Sequence, residues 1–172
     1  MNPPLIDEAA LKDIRLLLMD VDGVLTDGRL YFGEGVAFKS FHVRDGLGIV
    51  RLHQHGVETG LITGRSDPYV RKRGEDLKMS VIVLGENDKG KVVERVKKEK
   101  GLKAEQVAYI GDDINDLEAM AQVGVPIAVK NAHPMVLPHV RFVTRAKGGE
   151  GAVREVADAI IRSQRKNPGA PR

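Results

Sequence analysis

The stretch LLLMDVDGVLTDG, residues 16–28, decides the fold. Four apolar residues run straight into Asp20, Asp22 and Asp27. A short, wholly apolar run followed by a turn signal reads as a strand buried on both faces, as in a parallel sheet. Carboxylates packed this closely repel one another, and the repulsion is strong where the dielectric is low. A bound cation, a nucleophile that needs its charge, or plain solvent exposure would each account for them.

Downstream, strand and helix alternate. RLYFGEGVAFKSFHV, residues 29–43, has two apolar arms around Gly33, Glu34 and Gly35 and reads as a β-hairpin. GLGIVRLHQHG, residues 46–56, reads as a helix stopped by Gly56. VETGLITG (57–64) is a second buried strand, and Ser66 and Asp67 before Pro68 open a second helix. VIVLG (81–85), QVAYIGDD (106–113), PIAVKNA (126–132) and RFVTRA (141–146) read as further strands. Helices over 87–101, 114–124 and 150–164 lie between and after them. This order predicts an α/β fold, a Rossmann-like parallel sheet with helices on both faces. The 172 residues suit one domain, with residues 163–172 as a loose tail.

Composition excludes several classes. Apolar residues make up 42% and charged residues 30%, ordinary for a globular protein. No apolar run approaches the ~18 residues of a membrane span, and the acid-bearing N-terminus is not a secretory signal. There is no cysteine, which rules out disulfides and thiolate metal sites and is compatible with the cytoplasm. A net charge of +3 with 4% aromatic residues gives no basic stacking surface for nucleic acid.

In parallel sheets ligands bind beyond the carboxyl ends of the strands. The loops there read DVDGVLTDG, TGRSD, GENDKG and GDDIND. Asp20 and Asp22 from the first and Asp112, Asp113 and Asp116 from the last converge on one rim. Each acid could simply cap a helix. Two such loops at neighbouring strand ends point instead to a hard cation such as Mg²⁺, which offsets the repulsion. Thr63 and Gly64 offer a hydroxyl and backbone N–H groups to anionic oxygens, and Lys89 adds a positive charge. This is equipment for phosphoryl transfer, with one carboxylate as nucleophile and a second, two residues on, as acid and base.

DVDGVLTDG, LITGR, DK and GDDIND, in this order, resemble the four motifs of the haloacid dehalogenase superfamily of phosphatases. The resemblance implies Asp20 as nucleophile, Asp22 as acid/base, and phosphate contacts from Thr63 and Lys89. It implies Mg²⁺ held by the Asp20 carboxylate, the Asp22 carbonyl and Asp112, with Asp113 and Asp116 in support. The spacings leave no room for a cap domain, so the site is open. A neighbouring subunit or a macromolecular substrate would then close it, and the hairpin is the expected oligomer contact.

Finer features, FHVRDGLGI, TGR and GGEGAVREV, resemble the 3-deoxy-D-manno-octulosonate 8-phosphate phosphatases, a tetrameric family of lipopolysaccharide precursor synthesis. That resemblance implies a small sugar phosphate carrying a carboxylate. It places His42, Val43, Arg44, Asp45 and Gly46, together with Gly64, Arg65 and Arg73, in the substrate pocket of a homotetramer whose neighbours complete the site. Two residues depart from the family pattern: His42 stands where Asn is common, and Glu150 where a basic residue is. A phosphatase for a nine-carbon sugar acid, a promiscuous small-molecule phosphatase and a silent oligomerisation module are the alternatives. The intact Asp20, Asp22 and Asp112 speak against silence, and Arg44 and Arg65 against the nine-carbon substrate.

Overall fold

The computed structural model describes residues 8–33 and 36–165. The central strand β1 (Leu16–Met19) carries no polar side chain because both its faces are covered. Leu17 and Met19 point into one core and Leu16 and Leu18 into the other, the two-residue alternation of a strand. Its parallel neighbours are β4 (Glu58–Thr63) and β6 (Val107–Gly111), and beyond them lie β5 (Val81–Leu84) on one side and β7 (Val125–Ala128) and β8 (Phe142–Val143) on the other. The order β5-β4-β1-β6-β7-β8 reverses direction at β1, so the ends of β1, β4 and β6 open onto one crevice. No helix among the described residues is long and apolar enough to cross a membrane.

One face is covered by α1 (Val43–Gln54), α2 (Pro68–Asp76) and α5 (Ala152–Arg165), the other by α3 (Lys89–Lys100) and the single turn α4 (Leu117–Met120). The α5 sequence puts Val153, Val156, Ala157, Ile160 and Ile161 on one buried stripe. Burying each of the larger ones contributes roughly 1.5–3 kcal/mol. Residues 163 and 164, read from sequence both as the end of the last helix and as the start of the tail, belong to this helix, as does Arg165: Ser163 is buried and the Gln164 side chain donates to the Ile14 carbonyl. The rest of the expected tail, residues 166–172, lies outside the described residues.

The hairpin is present as β2 (Tyr31–Gly33) against β3 (Val36–Phe38), a separate two-stranded sheet whose turn at 34–35 lies outside the described residues. It ends sooner than expected. Val43 is already helical, because His42 caps α1 by accepting the Arg44 N–H at Nδ1. Two glycines in the first turns disfavour a helix by propensity, which hid this start. At Gly48 a Cβ would stand 3.1 Å from the Arg154 backbone, so glycine lets α1 cross α5 closely without either helix giving way. The helix expected over 114–124 is also shorter: a 3₁₀ turn (Ile114–Asp116) precedes α4.

Candidate active site

The nucleophile loop leaves β1 at Asp20, whose N–H donates to the Ile110 carbonyl and so prolongs the sheet by one residue. The chain then folds back tightly on itself. Buried Thr26 ties it: its N–H and hydroxyl donate to the Val21 carbonyl, and its oxygen accepts from Gly23 and Gly28. Gly23 has φ +96°, and a Cβ there would sit 2.1 Å from Asp112 Oδ2. Only a glycine lets the two acidic loops come this close.

Behind this loop runs the segment before α5. A Cβ on Gly148 would fall 1.6 Å from the Gly23 carbonyl oxygen, and the Gly149 N–H donates to the Val24 carbonyl. Asp45, almost fully buried, accepts from the N–H groups of Gly151 and Arg154 and so caps α5 from another helix. Burial pushes its carboxyl up, against the pull of the Arg154 N–H. Asp45 therefore braces the loop that backs the nucleophile.

At the rim, Lys89 is 1% exposed, an unusual place for an ammonium. It is matched by Asp116 Oδ1 at 2.7 Å and Asp20 Oδ1 at 2.9 Å. Burial works against its charge, but Asp20 and Asp116 outweigh it and hold the pKa above the usual lysine value. Asp116 has no oxygen to spare. Oδ1 also accepts the Tyr109 hydroxyl at 2.8 Å, and Oδ2 accepts the N–H groups of Asp112 and Asp113. Although Asp20, Asp112 and Asp116 lie close enough to surround an ion, Asp116 is thus engaged in shaping the loop and aiming Lys89. Tyr109, wholly buried, has its own ionisation pushed well up by burial and by Asp116.

The donor set that remains fits a divalent cation. Asp112 Oδ1 is buried with no hydrogen-bond partner, a costly state unless a ligand answers it. Burial, then the charges of Asp20, Asp116 and Asp113, push Asp112 up to about 8, with Lys89 pulling the other way. Burial and Asp116 push Asp20 up to about 6, again against Lys89. A dication between Asp20 and Asp112 would relieve both.

In front of these groups is an open cavity of about 340 Å³. Asp20, Asp22, Thr63, Gly64, Arg65, Asp112 and Asp113 line it, as do Asn87 and Asn115, which sequence reading had not singled out. Thr63 is buried and its oxygen accepts the Arg65 N–H. Lys89 and Asp116 stand one layer behind. The expected pocket residues 42–46 and Arg73 do not line the cavity of a single chain. Arg44 and Val43 are exposed at the start of α1 and Gly46 is buried. Arg73 lies across the Phe41 ring, with its Nε buried and unpartnered. Lys39 and Tyr109 were also missed: one lay within the expected hairpin, the other within the expected strand 106–113.

A carboxylate pair at a parallel strand end, a lysine held against it and an open rim define a haloacid dehalogenase-like hydrolase, and the sequence model of those hydrolases matches residues 81–156. The 3-deoxy-D-manno-octulosonate 8-phosphate phosphatase of Yersinia pestis is 45% identical over 92% of this chain and 85% of its own length. Among solved structures, the phosphatase of that name from Moraxella catarrhalis, in complex with magnesium, phosphate and KDO, has a TM-score of 0.89 at 39% identity, covering 92% of each chain. The cobalt-bound enzyme from Haemophilus influenzae has a TM-score of 0.87 at 42% identity, covering 91% of this chain and 92% of its own. This chain belongs to the family of 3-deoxy-D-manno-octulosonate 8-phosphate phosphatases.

Proposed function

We propose that the protein is a Mg²⁺-dependent phosphatase that hydrolyses 3-deoxy-D-manno-octulosonate 8-phosphate to the free sugar acid and phosphate through an aspartyl-phosphate. The observation that carries this reading is the buried Lys89 bridging Asp20 and Asp116, with Asp112 Oδ1 left unpartnered beside them. Asp20, the Asp22 carbonyl and Asp112 would hold Mg²⁺, which when bound offsets the charge of carboxylate and phosphate. Asp20 attacks phosphorus through a carboxylate oxygen while the bond from phosphorus to the sugar oxygen breaks. Asp22 gives that oxygen its proton. Lys89 fixes Asp20, and the Thr63 hydroxyl and Gly64 N–H receive the phosphoryl oxygens. Water then attacks phosphorus, Asp22 takes its proton, and the bond to Asp20 breaks to release phosphate.

Arg65, exposed on the cavity wall, is suited to the sugar's carboxylate. Exposed Phe32, Phe38, Val43 and Leu47 support a subunit contact at the hairpin and the start of α1. In a homotetramer so built, Arg44 and Arg73 would reach the pocket from positions one chain alone does not bring together, while Asp45 and Gly46 would shape it from within. We assign the reaction to lipopolysaccharide precursor synthesis in the cytoplasm, where sugar phosphates are made. The test is phosphate release with Mg²⁺ across the octulosonate 8-phosphate, a nine-carbon relative, hexose phosphates and p-nitrophenyl phosphate. A kcat/KM preference of about a hundredfold for the eight-carbon acid, some 2.7 kcal/mol, is expected. Flat, slow rates would refute the substrate.

A further inference from the structure

We propose that Lys39 is a positioning residue for Asp22, delivered to the site by the hairpin. The hairpin is mostly solvent-facing: Phe32 is 76% and Phe38 55% exposed. The Lys39 side chain, one residue beyond β3, is instead 3% exposed. Its ammonium lies 2.7 Å from Asp22 Oδ1 and 2.9 Å from Oδ2, with Asp67, the cap of α2, at 3.6 Å. If the contact served only to dock the hairpin, an apolar side chain would do so without the cost of desolvating a charge. Among the described residues no other cation comes within hydrogen-bond distance of Asp22; Arg65 Nε stands 4.0 Å away.

The direction of approach matters. Asp22 lines the cavity, while Lys39, its side chain 3% exposed, holds that carboxylate from outside the cavity lining. An acid/base works only when its oxygen is held where the leaving oxygen, and later the water, will be. Asp22 sits in a loop that turns through non-helical dihedrals at Asp22 itself and at Gly23, so its own backbone offers it no regular helical frame. Lys39 supplies the missing restraint, and through it the hairpin is mechanically joined to the proton-transfer group. The inference rests on the reading of Asp22 as acid/base, and the test separates the two.

The test measures kcat/KM over a set of phenyl phosphates whose phenols differ in acidity. Nitrophenolate leaves with little need of a proton; a basic phenolate does not. Lys39→Met is expected to cost at least tenfold more on the most basic leaving group than on 4-nitrophenol, and Lys39→Arg to recover most of that loss. Asp22→Asn is expected to show the same bias, and Lys39→Met added to it to cost less than about threefold further. Equal losses of Lys39→Met across the set, or a full additional loss in the Asp22→Asn background, would overturn the proposal and leave Asp22 in place. An Asp22→Asn variant with no leaving-group bias would overturn both readings.

Discussion

Asp112 offers a direct measure of how strongly the carboxylate cluster asks for a cation. Its carboxyl is pushed up to about 8 from 3.8, first by burial and then by Asp20, Asp116 and Asp113. A carboxyl raised in the folded state stabilises the fold fully only below its unfolded pKa, and the contribution is lost as pH rises towards the folded value. The metal-free protein should therefore lose up to about 1.4 kcal/mol per pH unit from this group between about pH 4 and 8. Asp112→Asn keeps the shape and removes the titration. Urea unfolding of both proteins in EDTA, at about pH 5.5 and about pH 7.5, gives by difference the contribution of Asp112 together with its coupling to Asp20. The stability of the wild type relative to the variant should fall by up to about 2.7 kcal/mol, or roughly 5–10 °C in melting temperature for a chain of this size. Added Mg²⁺ should then raise the wild type, most at the higher pH, and leave the variant nearly unmoved. Parallel pH curves in EDTA would refute the reasoning, because they would mean that neither burial nor the neighbouring carboxylates disfavour the charged form of Asp112.

Gly148→Ala should cost more than 3 kcal/mol or abolish turnover, since its Cβ would overlap the Gly23 carbonyl; Gly56→Ala, with φ +75° and nothing within 4 Å, should cost only about 1–2 kcal/mol by urea unfolding. Tyr109→Phe removes one of the two side-chain donors to Asp116 Oδ1 and should destabilise by about 1–3 kcal/mol with a lower kcat; an unchanged kcat would dissociate Tyr109 from the aim of Lys89. Arg65→Ala should weaken turnover of the octulosonate 8-phosphate at least tenfold more than that of p-nitrophenyl phosphate, and equal losses would argue against a carboxylate contact.

The sheet and the acidic rim were legible because their signals are local. Leu16–Met19 is apolar without interruption, and Asp67-Pro68 and Gly101 punctuate α2 and α3 as caps should. Asp20, Asp22, Thr63 and Asp112 could be read off strand ends for the same reason. What was missed depends on contacts between distant segments. Nothing near Tyr109 says that its hydroxyl meets Asp116 across a turn, or that Lys39 folds back 2.7 Å from Asp22. The resemblance put Asp45 in the substrate pocket, and no local signal says that its carboxylate accepts the N–H groups of Gly151 and Arg154 at the start of α5. The early start of α1 was masked by glycines whose purpose, close approach to Arg73 and to α5, is tertiary.

The central place of β1 also dictates when activity can arise. Its register partners are Glu58–Leu61 and Val107–Ile110, so this wholly apolar strand is made first and gains its second neighbour only with β6. During synthesis its second edge must wait, unpaired and prone to stray association, until residues 107–110 have followed. The nucleophile meets Lys89 and Asp112 only when that wait ends. A nascent or truncated chain lacking β6 thus holds Asp20 without the neighbours that would make it reactive, and chemistry begins only with completion of the sheet.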